Sequence, residues 1–173
     1  ASREDWEKTY TDGLKYLGMK FDQDRSEPFE GASGVTHPLL GEAVTNFQAQ
    51  AYKELLPANG PVKTQVVGSY DAALEEQAQR VSDFMNYQIV HVMEEYDEEL
   101  DQMLFYLPLA GSAFKKIYYD ESLGRAVSKF IAPEDLIVPY FTTDLETCPR
   151  ITNVVKMPEN EVAKMQAMGF YRK

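Results

Sequence analysis

Residues 99–139, ELDQMLFYLPLAGSAFKKIYYDESLGRAVSKFIAPEDLIVP, allow few folds. An apolar helical pattern runs into a glycine break at Gly111-Ser112. Two strand-like runs follow, carrying Lys115, Lys116, Tyr118 and Tyr119 on one side of an acidic turn and Phe130 on the other. The turn, Asp120 to Gly124, has glycine where a positive φ is best tolerated. A Pro-Glu-Asp corner at 133–135 then leads into a third apolar run. Helix, hairpin and further strand in that order predict an α+β fold, long helices packed with a small, mostly antiparallel β-sheet.

The rest of the chain extends the pattern. Trp6, Tyr10, Leu14 and Leu17 form one apolar stripe at helical spacing, with Ser2 and Asp5 as capping residues. Residues 21–36 carry Pro28, Gly31, Ser33 and Gly34 and are expected to be loop. Pro38 suits the first turn of a second helix, and Leu40, Val44, Phe47, Ala51 and Leu55 mark its apolar face. Val62, Thr64 and Val66 alternate with Lys63 and Gln65, predicting a strand over 62–67.

Asp71 is the expected N-cap of the longest helix, whose stripe of Leu74, Ala78, Val81, Met85, Val92, Tyr96, Leu100, Met103 and Leu107 reaches about Pro108 with a bend near Tyr96. Some 35 residues at ~1.5 Å each would span ~50 Å, long for a free-standing domain of this size. In all, the spacing predicts helices over 2–19, 37–56, 71–107 and 158–168. Strands are predicted over 62–67, 113–119, 125–131, 136–140 and 150–157, the last ones completing one sheet.

At 173 residues the chain is one domain by length, or a piece of a larger one. It begins with Ala and ends Tyr171-Arg172-Lys173, which suggests an excerpt. Asp plus Glu number 28 against 17 Lys plus Arg, a formal charge of −11. Sequence-independent nucleic-acid binding needs cations against phosphates, so this segment is not a DNA grip. Cys148 stands alone, which excludes an intramolecular disulfide framework or a multi-cysteine metal site and is compatible with a reducing cytoplasm. No apolar run approaches the ~20 residues that span a bilayer.

Each catalytic constellation fails on spacing. The acidic run Glu94, Glu95, Asp97, Glu98, Glu99 and Asp101 places carboxylates four apart on a helix, as two-metal hydrolases do. Such sites add ligands from other elements, so a solvated helix face is the preferred reading. His91 beside Glu94 and Glu95 lacks the second histidine of H-E-x-x-H, since the only other one is His37 in a loop. Gly31-Ala-Ser33-Gly34 is neither a nucleophile elbow nor a phosphate loop. No catalytic, cofactor-binding or metal residue is expected. Phe105, Tyr106, Phe114, Tyr118, Tyr119, Phe130, Tyr140 and Phe141 are expected to crowd the helix–sheet junction as core, some facing a neighbour. Met157, Met165 and Met168 are expected to fill core.

Several segments carry a likeness. GASGVTHPLL (31–40), FQAQAYKELLPANGPVKTQVVG (47–68), DFMNYQI (83–89) and LPLAGSAFKKIYYDESLGRAVSKFIAPEDLIVPYFTTDLETCPRITNVVKM (107–157) together resemble the portal proteins of tailed double-stranded-DNA bacteriophages, in their N-terminal and wing region. The resemblance covers essentially the whole chain, with a helical part over 1–110, a β-rich part over 111–157 and a terminal helix over 158–169. It implies a structural subunit of a ring, typically of twelve copies, at the capsid vertex of the virion, assembled in the host cytoplasm. The ring would be the conduit for genome packaging and ejection. Its implied partners are further copies of itself, the capsid protein, terminase, and tail or head-completion proteins, with DNA passing through unread and no membrane. It further implies no cofactor and no enzymatic activity; the stem and clip lie outside these residues. The alternatives are a viral adaptor or scaffold module that forms no ring, and a carboxylate-metal hydrolase using residues 94–101.

Overall fold

Helix α4, Tyr96–Ala110, is the element around which the larger part of the chain is built. The computed structural model describes residues 3–18, 29–32, 37–69, 71–139 and 141–172; the predicted Ser2 cap, Ser33, Gly34, Tyr140 and most of the 21–36 loop lie outside them. The fold is α+β. The chain divides into two units, residues 1–133 and 134–173.

In the first unit α1 (Glu4–Leu17), α2 (Leu39–Leu55) and α3 (Ala72–Tyr87) precede α4, and the hairpin β1 (Phe114–Asp120) and β2 (Arg125–Ile131) follows. Leu100 and Leu104 of α4 are buried with Tyr10 of α1, Val44 of α2 and Val127 of β2. The helix therefore sits between a helical layer and the hairpin. Trp6 closes its far end: the indole N–H donates to the carbonyl of Ala110 at 3.1 Å, one of the orphan carbonyls at a helix C-terminus. Gly111, at φ 77°, ends α4 in the left-handed conformation that glycine adopts without a Cβ penalty.

The long helix expected over 71–107 is two helices. α3 stops at Tyr87, a π turn spans Gln88–Val92, and Met93, at φ −88° and ψ 75°, leaves helical conformation. The acidic run explains the restart. Asp97, Glu98 and Glu99 occupy the first turn of α4, where the positive end of the helix dipole favours carboxylates. Its upstream half keeps the expected cap, since the Asp71 side chain accepts from the Ala73 N–H at 3.0 Å. Much of the apolar stripe drawn along α3 stays exposed, at Leu74, Val81 and Met85.

The segment 62–67, expected as a strand, pairs with no strand among the described residues. Instead the Asn86 amide meets both main-chain groups of Val62, its Oδ1 accepting from the N–H at 2.9 Å and its Nδ2 donating to the carbonyl at 3.0 Å. Ser82 Oγ donates to the same carbonyl, and Thr64 Oγ1 to that of Ala78. Four residues of helix rise ~6 Å and two of extended chain ~6.6 Å, so the segment runs along α3 in register with one helical turn. Pro38 stands at the N-cap of α2, one position before the helical turn predicted for it.

β1 and β2 pair antiparallel, from Phe114 opposite Ile131 to Asp120 opposite Arg125. The second unit has its own pair, β3 (Leu136–Ile137) with β4 (Thr152–Asn153), so the single sheet expected is two separate ones. These strands are shorter than 136–140 and 150–157. Val154 N–H extends the pairing to the Asp135 carbonyl at 2.8 Å. Pro158 precedes α5, Glu159–Ala167, as its N-cap. Met168 is 71% exposed and does not fill core as expected. No helix among the described residues is long and apolar enough to cross a membrane.

Candidate functional site

The acidic run and the hairpin meet at the start of α4. Glu95 stands at the N-cap position of the helix, without a side-chain capping bond, and Glu99 lies one turn on. Both carboxylates reach the outer edge of β2. Glu95 Oε1 accepts from the Ser128 N–H at 3.0 Å, and Glu99 Oε2 from the Phe130 N–H at 2.6 Å. Helix rise over four residues again matches strand rise over two. The two side chains thus occupy positions that the carbonyls of a third strand would otherwise take.

Arg125 completes this corner, its Nη1 donating to Glu95 Oε2 at 2.6 Å. Burial by itself would raise the Glu95 carboxyl. Hydrogen bonds from its own backbone N–H, Arg125 and Ser128, with the Arg125 charge, outweigh burial and hold it below the ordinary carboxylate value. Lys115 shifts downward through burial, opposed by the nearby charges of Glu99 and Glu95. Its ammonium sits 3.5 Å from the Tyr96 ring centroid, as a cation over an aromatic face. Ser128 Oγ is buried with no hydrogen-bond partner among the described residues.

The other carboxylates point elsewhere. Asp97 accepts from the Tyr52 hydroxyl and Asp101 Oδ1 from Gln48 Nε2 at 2.7 Å, tying α4 to α2 along an open groove of about 520 Å³. The bond to Asp97, with burial and the Asp97 and Asp101 charges, pushes the Tyr52 hydroxyl up to about 12. Glu94 and Glu98 face solvent. Glu94, Asp97, Glu98 and Asp101 are exposed, as a solvated face requires, and the expectation is corrected at half-buried Glu95 and Glu99; four of the six carboxylates are hydrogen-bonded to other elements. Among the described residues no three His, Cys, Asp or Glu side chains converge as a metal site would require. His91 is exposed in the π turn, with its ring 5.4 Å from that of Tyr87.

The aromatic junction is smaller than expected. Tyr106 stacks on Phe130 at 5.5 Å and meets Phe105 edge-on at 5.7 Å. Tyr119 is exposed, and Phe141 belongs to the other unit and is exposed there. Arg125, Ser128, Lys115 and Asn86 are the residues that sequence reasoning missed. For the first three, one signal was present: acids four apart at a helix start, ahead of a hairpin with cations near both ends.

The chain was compared with protein-family models and with curated protein sequences, and it matches none.

Proposed function

We propose that this chain is the N-terminal and wing region of a phage portal subunit, a structural element of the ring at the capsid vertex through which the genome is packaged and ejected. The observation that carries the reading is the order of likenesses at 31–40, 47–68, 83–89 and 107–157. On this reading the chain has no chemistry of its own. It packs against further copies of itself and the capsid protein, in a particle that docks terminase and then tail or head-completion proteins.

The surface supports it. Six apolar residues of the described chain are buried, whereas Leu39, Phe47, Leu74, Val81, Phe84 and Met85 are among the exposed ones. Surface of that kind suits a subunit that packs against neighbours. Electron microscopy of the full-length protein is the test: closed rings are expected, and a protein that is monomeric by light scattering and forms no rings overturns the proposal.

A further inference from the structure

The two edges of the hairpin differ in a way that points to a partner. On β2 the outward N–H groups of Ser128 and Phe130 are taken by Glu95 and Glu99. Pairing of 128 with 117 and 130 with 115 makes residues 115, 117 and 119 the outward ones on β1. None of their main-chain groups has a partner among the described residues. The edge is seven residues long, lacks proline and glycine, and carries Ile117 at 67% and Tyr119 at 65% exposure. An unpaired edge that carries exposed Ile117 and Tyr119 is a template for another strand.

The same unit contains a segment suited to fill it. Residues 62–67 have strand-like composition and no strand partner among the described residues. Val62 meets α3 through both main-chain groups and Thr64 through its side-chain hydroxyl. The main-chain groups of Lys63, Gln65 and Val67 have no partner among the described residues, and Val67 is 94% exposed. One molecule thus presents an unfilled edge and an unpaired strand.

We propose that residues 62–67 of a second copy add to β1 as an antiparallel third strand, with Gln65 opposite Ile117, Lys63 opposite Tyr119 and Val67 opposite Lys115. That register forms about six main-chain hydrogen bonds. It sets Lys63 beside an aromatic ring and Val66 beside Lys116, so no like charges stand directly opposite. Each copy donates one surface and accepts on another, a head-to-tail contact that propagates around a ring. A β1-to-β1 contact would instead close at two copies. The inference rests on the portal reading for its ring, not for its strand pairing.

The test is Gln65→Cys with Ile117→Cys in the full-length protein carrying Cys148→Ser, oxidised mildly and run without reductant. Directly opposed residues of this kind stand ~5.5 Å apart at Cα, within disulfide reach. A ladder of covalent multimers is expected from the pair, none from either single variant, and none from Val66→Cys with Ile117→Cys, whose side chains lie on opposite faces. Rings seen by microscopy without a ladder would overturn the strand exchange and leave the portal reading standing. A ladder without rings would do the reverse. Dimers from Ile117→Cys alone would overturn it in favour of edge-to-edge contact.

Discussion

Replacing Glu95 probes how the hairpin is held to α4. The side chain accepts from Arg125 at 2.6 Å and from the Ser128 N–H at 3.0 Å. Glu95→Ala leaves that buried N–H without a partner, at ~1–3 kcal/mol, and strands the guanidinium. Breaking a fully buried ion pair costs ~3–5 kcal/mol. Here the two side chains keep 23% and 19% of their surface in solvent, so screening lowers the total to ~2–4 kcal/mol. Glu95→Gln keeps an acceptor for Ser128 and loses the charge, and ~1–2 kcal/mol is expected.

Trp6 is the sole tryptophan and its indole bonds the end of α4. Its fluorescence during urea unfolding therefore follows the first unit. The ranking Ala worse than Gln worse than wild type is the expected result, with Arg125→Met non-additive on Glu95→Gln. The folded carboxyl lies below its ordinary 4.5, so its contribution is present above that value and is lost as pH falls through the folded one. Glu95→Gln should flatten this acid limb. A Glu95→Ala loss under ~0.5 kcal/mol at neutral pH, a value ordinary for surface substitutions, would refute the edge-capping account.

Three further substitutions test separate joints. Gly60 is buried at φ 89°, and an added Cβ would stand 2.4 Å from Asn86 Cγ; Gly60→Ala should cost ~2–4 kcal/mol in urea unfolding through strain and displaced Asn86 bonds. Ser128→Ala removes a buried hydroxyl with no partner among the described residues and should leave stability unchanged or raise it by ~1 kcal/mol, so a clear loss would show that the hydroxyl is satisfied. The Tyr52 hydroxyl is pushed up to about 12, so its contribution is intact below pH 10 and is lost as pH rises through about 12; the melting-temperature gap between wild type and Tyr52→Phe should narrow between pH 10 and pH 12.

Elements whose signals were local were legible in the sequence. Asp71 as a cap, Gly111 as a stop and the Asp120–Gly124 turn each act within a few residues, and each stands where expected. The 62–67 segment misled because alternation and β-branched residues describe a chain suited to pairing, not one that has found a partner. Its decisive partner, Asn86, lies on a helix 24 residues away. The continuous helix over 71–107 misled for a related reason. Val92, Tyr96 and Leu100 keep helical spacing in the sequence across the break, whereas the start of α4 is marked by the acids gathered at Asp97, Glu98 and Glu99.

That boundary also decides what the acidic run does. In the middle of a long helix, six carboxylates would repel one another and offer only a solvated face. At a helix start, the dipole tolerates the charge, and one turn of rise spaces Glu95 and Glu99 to fit alternate N–H groups of β2. The guarding of the β2 edge, and with it the difference between the two edges of the hairpin, is therefore a consequence of one break in the chain near Met93. A variant that made 88–96 continuously helical would carry Glu95 and Glu99 out of reach of Ser128 and Phe130. Both edges of the hairpin would then be exposed, and the strand exchange proposed above would lose the asymmetry that a head-to-tail contact requires.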